Sequence, residues 1–259
     1  MSTANRLYAL DGAKIIIDSQ WLIFGENRKL TAPCPVFLIE HSRGLVLFDT
    51  GVAPEAWDDP VAVYGQGLLD VCNLVLPPEN RLDRQLANFG YTAADVTHVV
   101  VSHGHWDHTG GMYLFPQAQM YMSIEDMRYS FWPDPMYAGF FRNGADLERT
   151  RSFQWNPLRW DLDLFGDGSI QIIRTPGHTE GELSMLVKLP SRNFLLTADS
   201  VHVRSQIDQV SPCPVDMNAA ASIQSIQRMT QLAAAHQADI WVMHDEDDWA
   251  RLGGTDGYK

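Results

Sequence analysis

Histidine and aspartate are concentrated in one short segment of this 259-residue chain. The segment HGHWDH places His103, His105, Asp107 and His108 within six positions, directly after the apolar run HVVV. Imidazole and carboxylate groups packed this closely suit divalent metal ions, because a buried cluster of such groups without a cation is poorly solvated and repels itself. The chemistry this implies is metal-assisted hydrolysis, in which bound ions polarise a carbonyl group and activate water.

Three later segments repeat the pattern of an apolar run that ends in a turn with a histidine or an aspartate. They are IQIIRTPG before His178, FLLTA before Asp199 and DIWVM before His244. Loops at strand ends are where rigid scaffolds present functional side chains, so we expect these three residues to meet the HGHWDH segment.

The spacing divides the donors between two ions. In a turn after a strand, His103 and His105 point the same way, while Asp107 and His108 fall on the other side. The predicted ligands are His103, His105 and His178 for one ion, Asp107, His108 and His244 for the other, and Asp199 as the bridge between them. Nitrogen and oxygen donors without a thiolate favour zinc, with iron, manganese and cobalt as alternatives.

The elements that must position these residues are short apolar strands followed by alternating strands and helices. AKIII, PVFLIE, GLVLFDTG, DVTHVVVS and AQMYMS read as strands, as do SIQIIRTPGHT, LSMLVKLP, NFLLTADS and ADIWVMHDED. RLDRQLANFG and DMNAAASIQSIQRMTQLAAAHQ read as helices, and residues 123–165 as an irregular aromatic segment with helical parts. The pattern predicts one α/β domain over residues 1–259, with sheets inside and helices outside.

Composition restricts the partners. The net charge of -13 argues against nucleic acid and against anionic membrane surfaces, because little here would neutralise phosphates. No apolar run approaches the ~18 residues that a membrane span needs. Cys34, Cys72 and Cys213 are scattered and odd in number, which suits free thiols in a reducing compartment. With no signal-peptide pattern at the N-terminus, we expect a cytoplasmic protein.

The motif HGHWDH, followed by TPGHT, TADS and VMHD, resembles the His-x-His-x-Asp-His signature of the metallo-β-lactamase superfamily. The resemblance covers nearly the whole chain and implies an αββα sandwich with the metal site at one edge of the two sheets. It includes LVLFDTG, where Asp49 occupies the position of an acid that supports a ligand histidine. The alternative role for Asp49 is to cap the turn in DTG.

Within that superfamily the chain resembles the N-acyl-homoserine lactone lactonases and relatives such as 4-pyridoxolactonase. FLIEHSRGLVLFDTG, HVVVSHGHWDHTGG and RTPGHTEGELSMLV carry this resemblance. It implies a quorum-quenching hydrolase that opens the lactone ring with a hydroxide bridging two metal ions. Asp107 either passes a proton to the leaving alkoxide or serves as a ligand only.

One residue departs from these lactonases. Many of them place a tyrosine three residues after the bridging aspartate, where its hydroxyl meets the substrate carbonyl. The segment ADSVH puts His202 there instead. Because an imidazole N–H can donate the same hydrogen bond, His202 is the candidate for positioning the substrate or stabilising the oxyanion.

Two segments, residues 63–78 and 127–143, are candidates for the wall of a substrate pocket. The predicted pocket residues are Trp106, Phe131, Trp132, Met136, Tyr137 and Phe140. Apolar walls of this kind suit an acyl chain. Packing in the core, or an interface between two copies in a homodimer, is the alternative.

Other activities of the same fold stay open at this point. The substrate is a small lactone or another carboxylic ester in the hydrolase interpretation. A mononuclear-iron persulfide dioxygenase, or a metal-bound protein that only binds its ligand, is the alternative. The second set of ligands, His108 and His244, counts against a single iron.

Overall fold

Two large β-sheets face each other in the computed structural model, which describes residues 3–254 and 256–259. The strands are β1 (Arg6–Leu10), β2 (Lys14–Asp18), β3 (Lys29–Pro33), β4 (Val36–His41), β5 (Gly44–Phe48), β6 (Asn73–Val75), β7 (His98–Val100), β8 (Gln119–Ser123), β9 (Gln154–Leu158), β10 (Leu162–Asp163), β11 (Ile170–Arg174), β12 (Leu183–Lys188), β13 (Asn193–Leu196) and β14 (Ala238–Trp241). The helices are α1 (Pro60–Tyr64), α2 (Gln66–Val71), α3 (Leu82–Asn88), α4 (Trp106–Thr109), α5 (Ile124–Phe131), α6 (Ala145–Arg149), α7 (Arg204–Gln209), α8 (Ala219–His236) and α9 (Glu246–Leu252).

The order of strands in each sheet determines which loops can meet. The first sheet has the order β1-β4-β5-β7-β8-β9, in which β5, β7, β8 and β9 pair in parallel. The second has the order β10-β11-β12-β13-β14 and is antiparallel except for the β13–β14 pair. A third, small sheet has the order β3-β2-β6.

The main core lies between the two large sheets. Phe37 of β4 and Trp241 of β14 meet there edge to face, with ring centroids 5.0 Å apart. Along β4 the side chains alternate, so that Phe37 and Ile39 face this core while Leu38 faces the opposite side of its sheet. The sheets therefore bury apolar side chains on both faces, which requires a further layer on each side.

Helices provide those outer layers. Leu82 and Leu86 of α3 pack on the outer face of the first sheet, and Ile226 and Met229 of α8 pack on the outer face of the second. The α8 helix begins at the cap Asn218, whose side chain accepts a hydrogen bond from the backbone N–H of Ala221 at 3.1 Å. The result is the predicted αββα layering, and the predicted strands and long helix are present.

Some elements were not predicted. The strand β9 lies within residues 123–165, which were predicted to be irregular with helical parts, and it contains Pro157, a residue type that argues against a strand. It is tolerated because β9 is the last strand of its sheet and leaves one edge without a partner strand. The strand β3 was also missed, although it pairs along its whole length with β2. No helix in the described ranges is long and apolar enough to cross a membrane.

Candidate active site

The predicted ligands come together from four strand ends. The segment with His103 follows β7, His178 follows β11, Asp199 follows β13 and His244 follows β14. All four side chains are buried, as are those of His105 and His108. The first sheet supplies the HGHWDH segment and the second supplies the other three residues, so the cluster lies where the two sheets meet.

Asp199 stands between two groups of histidines. Its Oδ2 lies 3.5 Å from Nε2 of His178 and 3.8 Å from Nε2 of His103. Its Oδ1 lies 2.9 Å from Nε2 of His244 and 3.2 Å from Nε2 of His108. Each carboxylate oxygen therefore faces a different group, which is the geometry expected of a residue that bridges two ions.

These two groups define two pockets. The first pocket is formed by His103, His105, His178 and Asp199, whose candidate ligand atoms all lie within 4.8 Å of one another. The second pocket is formed by His108, His244 and Asp199, with the same spacing, and by Asp107. Asp107 Oδ2 lies 3.6 Å from Nε2 of His108 and 3.8 Å from Nε2 of His244. That these residues bind metal stays a prediction.

The donor atoms of the cluster fit divalent cations. Nε2 of His103, of His105 and of His108 is buried without a hydrogen-bond partner in the described part of the chain. Buried polar atoms are nearly always hydrogen-bonded in folded proteins, so the Nε2 atoms of His103 and His108, which face Asp199 from the two pockets, indicate missing partners. His105 faces the first pocket with its other nitrogen, since its Nδ1 lies 3.0 Å from Nε2 of His178. A divalent ion bound by nitrogen and oxygen atoms satisfies them.

Hydrogen bonds behind the histidines fix the direction in which each ring points. Nδ1 of His108 lies 2.9 Å from the Asp49 carboxylate, and Nδ1 of His244 lies 2.6 Å from the Pro33 carbonyl. Asp49 also accepts a hydrogen bond from the backbone N–H of Ser102 at 2.7 Å, and so holds the start of the HGHWDH segment. The Asp49 side chain thus lies where the resemblance placed it.

Two further carboxylates behind the first pocket were missed in the sequence. Asp216 Oδ1 lies 3.3 Å from Nδ1 of His178, and Glu182 Oε2 lies 3.3 Å from Nδ1 of His103. Nothing near Asp216 in PCPVDMN indicates a role. For Glu182 there was a signal, because an acidic residue at the start of the apolar run LSMLV is unusual.

The charges in the cluster are strongly coupled. Burial and the neighbouring imidazole of His108 hold the pKa of His103 well below its usual value. For His108 burial acts in the same direction, but the Asp199 and Asp107 carboxylates outweigh it and raise the pKa of that imidazole well above its usual value. The Asp199 carboxylate likewise raises the pKa of His244 against the effect of burial, so the imidazoles of His108 and His244 compensate its negative charge.

His202 lies beside Asp199. Its Nε2 is 3.1 Å from Asp199 Oδ2, and its Nδ1 is buried without a partner among the described residues. The His202 ring lies nearly parallel to the His244 ring, with centroids 5.8 Å apart and an interplanar angle of 22°. His202 therefore lies in the cluster and borders the cavity, but its predicted role in catalysis stays a prediction.

A cavity of about 510 Å³ opens onto the cluster. At its inner end lie His105, Asp107, His178, Asp199, His202 and His244. The rest of the lining is almost entirely apolar. It includes Leu68 and Val71 from the predicted segment 63–78, and Pro214 and Val215 from the loop before α8.

The predicted aromatic segment contributes only part of the expected wall. Trp106, Met136, Tyr137 and Phe140 are among the lining residues. Phe131 and Trp132 are not, and their assignment to the pocket was wrong. Phe131 ends α5 and Trp132 follows it, so that the end of the helix turns both rings outward, and the Trp132 side chain is 89% exposed.

The small third sheet forms a wall that was not predicted. Ile15 and Ile17 of β2 face the cavity, and Trp21 and Leu22 from the following turn extend this wall. The run AKIII was recognised as a strand. Three consecutive isoleucines gave no indication of which face would be covered, because a strand needs alternation to define its faces.

Comparison with known proteins agrees with this geometry. A profile of the metallo-β-lactamase superfamily matches residues 31–235. N-acyl homoserine lactonase AttM of Rhizobium radiobacter is 32% identical over 238 residues, which cover 88% of each chain. AttM of Azorhizobium caulinodans is 32% identical over 239 residues, which cover 90% of each chain.

Solved structures share the fold at lower identity. An N-acyl homoserine lactone hydrolase with the product N-hexanoyl-L-homoserine at its catalytic metal centre superposes with a TM-score of 0.83 at 19% identity, over 97% of each chain. A B. thuringiensis AiiA variant with N-decanoyl-L-homoserine at its active site gives the same values. The profile match, the sequence identity and the shared fold lead to one conclusion: this chain belongs to the metallo-β-lactamase superfamily.

Proposed function

We propose that the protein hydrolyses the lactone ring of N-acyl homoserine lactones and thereby acts in quorum quenching. The observation that carries this proposal is the position of Asp199, whose two carboxylate oxygens face two histidine groups at the inner end of an apolar cavity. Similarity to AttM lactonases over 88% of the chain supports the same substrate class. Other lactones or carboxylic esters are the nearest alternatives.

The residues present fit two divalent metal ions, and the donor set favours zinc. The first pocket would hold one ion through three imidazoles, and the second would hold the other through Asp107, His108 and His244. Asp199 would bind both ions. When bound, such ions polarise the ester carbonyl and lower the pKa of a coordinated water, so that water can act as a nucleophile near neutral pH.

Asp107 is the residue we assign to proton transfer. It borders the cavity, and its Oδ2 lies within 4 Å of both His108 and His244. A carboxylate in this position accepts the proton released by the attacking water and returns it to the alkoxide that leaves the ring. Its alternative role is that of a ligand only.

His202 is the residue we assign to the substrate carbonyl. A neutral imidazole keeps one N–H, and a donor at this point would stabilise negative charge on the carbonyl oxygen as the ring opens. The competing role is to hold Asp199, since Nε2 of His202 lies 3.1 Å from its carboxylate.

The apolar part of the cavity would bind the acyl chain. Ile15 and Leu68 line one part of the cavity wall, and Met136 and Phe140 line another. Since the lining outside the cluster is almost entirely apolar, a bound substrate would place its lactone carbonyl at the cluster and its acyl chain against the apolar side chains. Trp106 borders the cavity from within the metal motif.

The remaining proposals concern the setting of the enzyme. Its three cysteines are buried free thiols, which supports a cytoplasmic location. The net charge of -13 supports a small-molecule substrate without a nucleic-acid or membrane partner. The exposed side chains of Phe131 and Trp132 support a homodimer, which light scattering of the purified protein would test.

The test is metal analysis together with acid release from a panel of N-acyl homoserine lactones. We expect the wild-type protein to bind two equivalents of zinc and to release acid from the lactones. In Asp199→Ala we expect the loss of zinc binding and of acid release. The matched control is Asp208→Ala, which removes an exposed aspartate of α7 and should change neither result. Full activity in Asp199→Ala, or a single iron with oxygen consumption in the wild type, would overturn the proposal.

A further inference from the structure

Glu182 is a fully buried acidic residue directly behind the first pocket. It precedes β12 and follows His178 by four positions, and its side chain is 0% exposed. A carboxyl group removed from water destabilises the fold unless its oxygens are hydrogen-bonded. The partners of this carboxyl group therefore indicate what it does.

Those partners belong to three different segments of the cluster. Oε2 of Glu182 lies 3.3 Å from Nδ1 of His103, and Oε1 accepts a hydrogen bond from the backbone N–H of Asp199 at 3.2 Å. The hydroxyl of Thr179, the residue after His178, donates to Oε2 at 3.4 Å. One carboxylate thus contacts two predicted ligands and the neighbour of a third.

The contact with His103 determines which nitrogen of that ring is available. The Glu182 carboxylate, 3.3 Å from Nδ1, favours a proton on that nitrogen, and the lone pair of Nε2 then faces the pocket. This is the nitrogen that is buried without a partner in the described residues. The contact with Asp199 acts on the bridge itself, because it holds the backbone of the residue whose two oxygens face both pockets.

We propose that Glu182 is a positioning residue of the dinuclear site, which holds His103 and Asp199 in the orientation that both ions require. The proposal rests on the two-metal function proposed above. The hydrogen-bond partner of Nδ1 of His103 is the Ser102 hydroxyl, with its Oγ at 3.0 Å, and the Glu182 carboxylate lies slightly farther away, at 3.3 Å. That hydroxyl also lies 3.3 Å from His108, so it does not serve His103 alone.

Glutamine is an informative replacement because it has almost the same shape but only one acceptor oxygen. In Glu182→Gln the side chain can accept from His103 or from the Asp199 backbone, while its NH₂ group meets the other N–H. We therefore expect weaker binding of zinc with little change in packing. Outer partners of metal ligands typically change metal affinity by about 10–100-fold, and we expect a loss in this range.

Asp126 provides a matched control. It is also fully buried and also accepts a hydrogen bond from Thr179, at 2.9 Å, but it contacts the backbone of Gly104 rather than the ring of His103. Asp126→Asn therefore removes a buried carboxylate that contacts Thr179, as Glu182 does. We expect both variants to lower the melting temperature, but only Glu182→Gln to weaken zinc binding.

The measurement is zinc affinity by competition with a fluorescent chelator, together with the number of zinc equivalents bound. A wild-type zinc affinity in Glu182→Gln, or an equal loss in Asp126→Asn, would overturn the positioning role. If the wild type itself bound no zinc, the proposed function would fail instead. The two failures are therefore distinguishable.

A second measurement uses only the wild-type protein, and it can contradict the proposal even if Glu182→Gln does not fold. In the zinc-loaded protein labelled with ¹⁵N-histidine, NMR identifies which ring nitrogen of His103 keeps its proton. We expect a protonated, slowly exchanging Nδ1 and a zinc-bound Nε2. Zinc bound to Nδ1 of His103, or a rapidly exchanging Nδ1 proton, would contradict the proposal.

Discussion

The two pockets of the site differ in where their negative charge lies. In the first pocket the three side chains other than Asp199 are imidazoles, and the carboxylates of Glu182 and Asp216 lie behind them. In the second pocket a carboxylate, Asp107, lies in the cluster itself, with Asp49 behind His108 and a backbone carbonyl behind His244.

This difference separates two functions of negative charge. Charge behind an imidazole orients the ring and makes it a stronger ligand without meeting the substrate. Charge in the cluster, at the border of the cavity, can also move a proton. We therefore expect substitutions behind the first pocket to change metal binding, and substitution of Asp107 to change both metal binding and the chemical step.

The largest effect is expected at Asp107. In Asp107→Asn the side chain keeps its shape but loses the ability to accept a proton, so kcat should fall about 10²–10⁴-fold, the usual contribution of general acid–base catalysis. One zinc equivalent should remain tightly bound in the first pocket. Steady-state kinetics and metal analysis check both points, and a variant with wild-type kcat would show that Asp107 has no part in proton transfer.

A smaller effect is expected for the carboxylates of Asp49 and Asp216, which contact the outer nitrogens of ligand histidines. Asp49→Asn and Asp216→Asn should each weaken zinc binding by about 10–100-fold, but in different pockets. Cobalt titration followed by absorption spectroscopy distinguishes the pockets, because only the second contains a non-bridging carboxylate. If both variants lost the same spectral component, the division into two pockets would be wrong.

The apolar wall can be tested with two phenylalanines. Phe140 lines the cavity, whereas Phe131 does not and is 46% exposed. Loss of apolar contact worth about 1–2 kcal/mol should raise KM for long-chain lactones by about 5–30-fold in Phe140→Ala, and much less for short-chain lactones. Phe131→Ala is the control and should leave KM unchanged. An equal change in both variants would argue against an acyl pocket here.

The smallest effect is expected at His202. In His202→Phe an aromatic ring remains but has no N–H to donate to the substrate carbonyl, so under the proposed role kcat should fall by up to about 10-fold. His202→Tyr restores a donor and should recover part of that loss. Zinc content checks the competing role, because loss of zinc in His202→Phe would mean that His202 holds Asp199 rather than the substrate.

The sequence predicted the cluster better than the cavity. His103, His178, Asp199 and His244 each follow an apolar strand, so their meeting place could be inferred from strand ends alone. The layers of the sandwich followed from the same strands and from the long periodic helix α8.

What could not be predicted depends on contacts between distant segments. Glu182 lies 79 positions along the sequence from His103, the histidine it contacts. Asp216 lies 38 positions from His178. The outward turn of Trp132 is set by the end of α5, and helix ends are poorly defined by local sequence. The strand β9 contains Pro157, which a sheet tolerates only at its edge, and local sequence does not show which strand lies at the edge.

The proposed function requires that residues from four strand ends bind two metal ions. Anomalous diffraction at the zinc absorption edge, on crystals of the zinc-loaded protein, tests it directly. Two peaks roughly 3.5–4 Å apart are expected. One should lie among His103, His105 and His178, the other among Asp107, His108 and His244, and Asp199 should contact both. A single peak at full zinc loading, or zinc bound away from these ligands, would contradict the proposed dinuclear site.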